Sequence, residues 1–229
     1  MTATKKAPGA KNKKRILIVD DHPMMRQGLA QLIGEESDLT ICGEAEKASQ
    51  ALEAIGALRP DLVLADISLP DKNGLELIKD MRAIQPGLTV LVISMHDESL
   101  YAERVLRAGG RGYIMKQEGP EKILQAIRQV LDGQICASGK MSARILDALS
   151  ARRAKGNSPI ARLTDREFEI LQLIGQGRDS HVIAQQLNLS VKTVDAHRGH
   201  IKEKLGLKNG TELICYAARW IESQSPTSA

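Results

Sequence analysis

Five short apolar runs, RILIV, LTICGEA, DLVLA, TVLVIS and GYIM, recur between Arg15 and about Gly133, each separated from the next by an amphipathic stretch. Near-continuous apolar strands alternating with helices require a parallel sheet covered on both faces. The expectation for this half of the chain is therefore a three-layer α/β domain with a five-stranded parallel sheet. Pro86-Gly87 and Gly109-Gly110 mark turns into the fourth and fifth strands, and Gly119-Pro120-Glu121 opens the last helix with proline near its first turn.

Such an arrangement is flavodoxin-like. Beyond it the strand pattern stops, and residues 136–160 become small, polar and basic, with KMSARILDALSARRAKGNSP predicting one short amphipathic helix and a flexible linker. The segments LTDREFEILQLI, DSHVIAQQLNL, SVKTVDAHRGHIKEKLG and GTELICYAARWIES then predict four successive helices, a separate all-α domain over residues 161–225. Thr164 with Glu167 three residues on forms a capping box, Asp179 or Ser180 caps the second helix, and Ser190 the third.

The chain has 229 residues, 42% of them hydrophobic, which is enough for two cores, and these are aliphatic because there is only one Phe and one Trp. No apolar stretch approaches the roughly 20 residues of a membrane span. Residues 1–14 are basic without the apolar centre of a secretory signal, and are expected to be a disordered tail of a cytoplasmic protein. The formal charge of +4 is segregated: residues 1–15 carry six Lys/Arg and no acid, residues 139–160 five against one, and residues 16–138 are net acidic. The basic balance thus belongs to tail and linker and does not establish nucleic-acid binding. Cys42, Cys136 and Cys215 are odd in number and widely spaced, which predicts buried free thiols rather than disulfides or a zinc set.

The acidic pair Asp20-Asp21 directly follows ILIV, and Asp66 ends DLVLA. In open parallel sheets ligands bind outside the carboxyl ends of the strands, so all three carboxylates meet at one rim. Three anions there need a cation, and Mg²⁺, which takes a few carboxylate oxygens and keeps waters for a phosphate ligand, fits best. Ser94 ends the fourth run and Lys116 follows the fifth, completing a set able to handle a phosphoryl group. Asp66, on the middle strand, is the expected nucleophile. His22 and His96 lie near the rim and are expected to be polar surface.

ILIVDDHPMMRQGL, DLVLADISLPDKNGLEL, VLVISMHD and GYIMK together resemble the receiver domain of two-component response regulators, over residues 15–135. The resemblance implies that Asp66 accepts phosphate from a histidine kinase, and that Asp21, Asp66 and the carbonyl of Ser68 bind Mg²⁺ with Asp20 acting through its water shell. It further implies that Ser94 and Lys116 take phosphoryl oxygens, and that Tyr113 is a rotating switch residue. Many receivers follow this lysine with a cis proline, whereas Gln117 stands here; a non-proline cis bond costs about 3 kcal/mol, leaving the geometry of that bond open.

HVIAQQLNLSVKTVDAHRGHIKEKLG has helix-turn-helix spacing, with Val182, Ile183, Leu187, Val194, Ile201 and Leu205 as the buried stripe. Val182, Ile183, Leu205 and Leu207 are expected in the core. Residues 188–208 hold five Lys/Arg and two acids. The pair His197-x-x-His200 suggests a metal at i, i+3 but has no third ligand in view, so polar surface is expected. The segment from Leu163 to Ala217 resembles the LuxR-type DNA-binding domain, and the whole chain a NarL/FixJ-type response regulator. The resemblance implies that helix 191–205 reads DNA, with Lys192, Thr193, Asp195, Ala196, Arg198 and Lys202 as contact residues and Lys204 and Lys208 as weaker candidates. Asp195 stands where many relatives are basic, and can accept from cytosine but not pair with guanine. Helix 210–221 is implied to form a dimer.

The expected function is a phosphorylation-switched transcription regulator that dimerises on a double-stranded promoter, with RNA polymerase as a further contact and no membrane partner. It is not expected to be an enzyme beyond its own phosphorylation and dephosphorylation. The alternative is a phosphorylation-independent DNA-binding or interaction protein that uses the receiver as a docking module. An Asp-nucleophile phosphatase would need an acid two residues after Asp66, where Ser68 stands.

Overall fold

The computed structural model describes residues 13–139, 141 and 159–224. The basic tail up to residue 12 and the short helix expected in the linker lie outside the described residues. Strands β1 (Lys14–Val19), β2 (Leu39–Ala45), β3 (Leu62–Ala65), β4 (Thr89–Ser94) and β5 (Gly112–Met115) alternate with helices α1 (Pro23–Gly34), α2 (Ala48–Leu58), α3 (Gly74–Ile84), α4 (Glu98–Ala108) and α5 (Pro120–Leu131). All strand pairs are parallel, in the order β2-β1-β3-β4-β5.

Side-chain alternation sends the runs to two cores. Ile16, Ile18, Leu62, Leu64, Leu91, Ile93 and Ile114 pack with Leu29 and Ile33 of α1 and Ile123, Ile127 and Val130 of α5. Leu17, Val19, Val63, Ala65, Val90, Val92 and Tyr113 face α2, α3 and α4 on the other side. Burial of both faces explains why the central strands read as unbroken apolar runs.

A 3₁₀ turn (Pro159–Arg162) leads into α6 (Asp165–Gly175), α7 (Ser180–Gln186), α8 (Val191–Leu205) and α9 (Gly210–Gln224). Thr164 and Glu167 make the reciprocal capping box at α6. Asp179 caps α7, accepting from the His181 and Val182 amides, and Ser190 caps α8, accepting from Thr193 N at 3.0 Å. Ile183, Val194 and Ile201 are fully buried, while Val182, Leu187, Leu205 and Leu207 are only half-buried. The three cysteines are free, but only Cys42 and Cys136 are partly covered; Cys215 is exposed, contrary to the expectation of a buried thiol. It lies on the face of α9 that lines a surface groove with Leu207, Tyr216 and Trp220.

The second core of the α/β domain runs on into the helical domain. Tyr101 of α4 meets Phe168 of α6 edge to face, with centroids 5.4 Å apart, and donates its hydroxyl to Gln172 Oε1. The Arg104 guanidinium lies 4.0 Å above the Phe168 ring and donates to the Ile160 and Leu163 carbonyls and to Asp165 Oδ1. Lys79 reaches the other oxygen of Asp165 at 2.7 Å. Arg104 also offsets burial that lowers its own pKa through this contact with Asp165. Its cation–π contact and charge-assisted hydrogen bonds together contribute about 2 kcal/mol or more. Arg104→Ala is therefore expected to let the domains separate, seen as a larger radius of gyration in X-ray scattering at unchanged secondary-structure content.

Candidate functional site

The register sets the acidic rim. Val19 pairs with Ala65 and Ser94 with Met115, so the next residues, Asp20, Asp66 and Lys116, leave the sheet side by side. Asp66 N donates to Val19 O at 2.8 Å and Lys116 N to Ser94 O at 2.8 Å, carrying the strand ladder one step past the strand ends. Asp20 and Asp66 are buried and Asp21 half-exposed. Lys116 Nζ bridges the first two, 2.6 Å from Asp20 Oδ2 and 2.7 Å from Asp66 Oδ2.

One ammonium thus serves two buried carboxylates. Burial raises the Asp66 pKa above the aspartate range, the Asp20 charge adds to this, and Lys116 and the Ser68 amide offset only part. For Lys116 burial works against its charge, but the two carboxylates outweigh it and lift its pKa. Burial sets the first direction and the two carboxylate partners the second.

Asp20, Asp21, His22 and Asp66 each offer a ligand atom within 4.8 Å of the others. Asp20 Oδ2 and Asp21 Oδ1 are buried without an aligned hydrogen bond; Lys116 Nζ lies 2.6 Å from the first and His22 Nδ1 2.7 Å from the second. Hard oxygens in excess of their cations fit a divalent ion such as Mg²⁺. His22, expected as polar surface, is exposed but lies against both acids of the pair. Arg26, absent from the sequence reading, is buried and holds the Asp20 carbonyl at 2.6 Å while pairing with Glu46.

Ser94 is buried, and its hydroxyl accepts weakly from His96 N at 3.4 Å. Tyr113 is turned inward, donating to the His96 carbonyl at 2.8 Å, and burial pushes its hydroxyl pKa up. His96 corrects the expectation of a surface residue. Its Nε2 lies 2.9 Å from Ser68 Oγ, its ring packs 4.9 Å from that of Tyr101, and burial lowers its pKa. No cis peptide occurs among the described residues, so the bond after Lys116 is trans.

The segment after Asp66 reaches the other domain. Ser68 pairs with Asn73 across the loop, Pro70 O accepts from Asn188 Nδ2 at 3.1 Å, and Asn73 Nδ2 donates to Glu169 Oε2 at 3.0 Å. Asn73 Oδ1 meanwhile caps α3. Gly74 follows because a Cβ there would lie 2.6 Å from both Asp66 O and Ile67 Cα.

On α8, Lys192, Asp195 and Ala196 are exposed, and Thr193, Arg198 and Lys202 half-buried. Asp195 and Arg198 are joined through Ser180, whose hydroxyl donates to Asp195 Oδ1 at 2.8 Å and accepts from Arg198 Nη1 at 2.9 Å. Thr193 Oγ1 lies 2.7 Å from Ser190 Oγ. Lys204, one of the weaker DNA candidates, is bound to both oxygens of the buried Glu167. Asn188, in the turn before α8, adopts a left-handed φ of 50°.

The family model described as a response regulator receiver domain matches residues 16–128, and that of the bacterial regulatory proteins of the luxR family matches residues 161–217. The chain belongs to the NarL/FixJ-type two-component response regulators. It is 36% identical over 211 residues to the nitrate/nitrite response regulator protein NarL of Escherichia coli K12, covering 91% of this chain and 95% of NarL. It is 34% identical over 210 residues to the oxygen regulatory protein NreC of Staphylococcus aureus RF122, covering 90% and 97%. Among solved structures it is similar to RcsB of Salmonella enterica serovar Typhimurium bound to promoter rprA with the phosphomimetic BeF3-, at 26% identity and a TM-score of 0.61, covering 90% and 99%. This response regulator therefore joins a receiver to a LuxR-type helix-turn-helix, and nothing favours the reading as a mere docking module.

Two outcomes test the pocket of this regulator. Gly74→Ala is expected to lower stability by about 1–3 kcal/mol in urea denaturation, because the methyl group meets backbone rather than a movable side chain. Because the Asp66 pKa is higher in the folded than in the unfolded chain, stability falls as pH rises through the aspartate range. Asp66→Asn should then melt above the parent in metal-free buffer at neutral pH, the gap closing in acid, where the parent carboxyl is protonated.

Proposed function

We propose that Asp66 is the phosphoacceptor of this regulator and that its phosphorylation releases the DNA-binding domain from the receiver. The observation that carries this reading is that the loop leaving Asp66 itself makes two hydrogen bonds to the helical domain, through Pro70 and Asn73. A second connection runs from Ser68 through His96 to Tyr101 and on to Gln172.

In the transfer, an Asp66 carboxylate oxygen attacks the phosphorus of a phosphohistidine on the kinase; the P–O bond forms as the P–N bond breaks, and the imidazole leaves. Asp21, Asp66 and the Ser68 carbonyl would hold Mg²⁺, with Asp20 behind them, and the ion would supply positive charge to the phosphoryl oxygens. Lys116 gives up its bond to Asp66 and pairs with a phosphoryl oxygen, and the Ser94 hydroxyl donates to another. As Ser94 moves toward the phosphoryl group, His96 and Tyr113, both tied to that turn, are drawn with it. The contacts of Tyr101 and the loop 68–73 with α6 then weaken.

The released α8 enters the major groove, with Lys192, Arg198 and Lys202 on phosphates and Thr193, Asp195 and Ala196 toward bases. For the bases to be read, Asp195 leaves Ser180. The groove on α9 supplies the dimer contact, and RNA polymerase is a further partner at the promoter. A regulator of double-stranded DNA acts in the cytoplasm, and no described helix is long and apolar enough to cross a membrane.

Intact-mass analysis after incubation with acetyl phosphate and Mg²⁺ tests the assignment. A single phosphoryl adduct is expected on the parent and none on Asp66→Asn. An adduct that leaves the radius of gyration unchanged would disprove release of the domains, and an adduct retained by Asp66→Asn would disprove the acceptor.

A further inference from the structure

The pair His197-x-x-His200 has a third partner that the sequence order hides. Residues three apart on a helix share one face, and the facing element is the first turn of α6, which brings Glu167. Glu167, His197 and His200 each present one ligand atom, all within 4.8 Å of one another. The two imidazoles stand nearly perpendicular with centroids 6.4 Å apart, and His200 Nδ1 lies 3.9 Å from Glu167 Oε1.

We propose that Glu167, His197 and His200 form a binding site for Zn²⁺ within the helix-turn-helix domain, separate from the acidic pocket of the receiver. Two imidazoles and one carboxylate are a common zinc donor set, with a fourth position left to water.

Glu167 and His197 are prepared for this role. Glu167 is 3% exposed and its carboxylate is already aimed by the Thr164 amide, which donates to Oε2 at 2.7 Å. Such an outer hydrogen bond fixes a ligating carboxylate in place. Burial raises the Glu167 pKa, but the hydrogen bonds from Lys204 and the Thr164 amide outweigh it and lower it. His197 Nδ1 is buried and has no hydrogen-bond partner, which in a native protein calls for an explanation such as an ion.

A cation already stands at this carboxylate. Lys204 Nζ lies 2.7 and 2.9 Å from the Glu167 oxygens. Zn²⁺ replaces this ammonium, so loading the site frees Lys204 at the C-terminal end of the helix proposed to lie on DNA. The site would then tie α6 to α8 through the metal in place of the Lys204 ion pair.

The test is calorimetric titration of the full-length protein with ZnCl2 in excess Mg²⁺, which occupies the acidic pocket. The parent is expected to bind one equivalent more than His200→Ala, whose side chain is 62% exposed. Any residual binding by that variant should be weaker at this site by about tenfold or more. Lys204→Gln, lacking the competing ammonium, is expected to bind Zn²⁺ more tightly than the parent. Co²⁺ in place of Zn²⁺ should give the visible absorption of a four-coordinate nitrogen and oxygen site in the parent only. Identical stoichiometry and affinity in the parent and His200→Ala, or no uptake by the parent, would overturn the proposal. So would weaker binding by Lys204→Gln with its fold intact.

Discussion

The interaction on which the receiver depends is the bridge of Lys116 between Asp20 and Asp66, at 2.6 and 2.7 Å. It places a single ammonium among three carboxylates, two of them buried at strand ends that cannot retreat from one another. That arrangement is stable enough to fold and unstable enough to want another cation or a rearrangement. Arg26 adds to the constraint by gripping the Asp20 carbonyl rather than its carboxylate, so it fixes the strand end without neutralising the pocket.

Two side chains leading away from this pocket each have two attachments. Asn73 caps α3 with its oxygen and holds Glu169 with its nitrogen. His96 binds Ser68 through its ring and Tyr113 through its carbonyl. Neither residue has a free end, so under the proposed switch a displacement at the rim would pass to its second partner. Packed groups with two discrete sets of partners, not gradual deformation, are what such transmission requires.

Much of this was legible before the structure because its signals are local. The five apolar runs, the Asp20-Asp21 and Asp66 positions, the Thr164/Glu167 box and the Ser190 cap depend on residues at most a few apart. What stayed hidden involves partners far along the chain. His96 reads as rim surface until Ser68, 28 residues earlier, is placed beside it. Glu167 supplies its capping box locally, but its meeting with His200 and Lys204 needs α6 packed on α8. Cys215 sits among apolar neighbours in sequence yet turns outward, because the buried face of α9 is set by Leu213 and Ala217. The domain contact through Tyr101, Arg104 and Phe168 has no periodicity to announce it.

The closing contact is partly ionic, and this has a consequence for how the regulator responds to its medium. The Lys79–Asp165 pair, with Lys79 56% exposed, is screened by salt, whereas the Arg104–Asp165 pair, with Arg104 stacked on Phe168, is sheltered. Rising ionic strength therefore loosens one part of the clasp while it would weaken the attraction proposed between α8 and DNA phosphates. The two effects oppose each other in the unphosphorylated protein. On the proposed contacts, its net affinity for DNA should vary less with salt than the number of phosphate contacts alone would dictate.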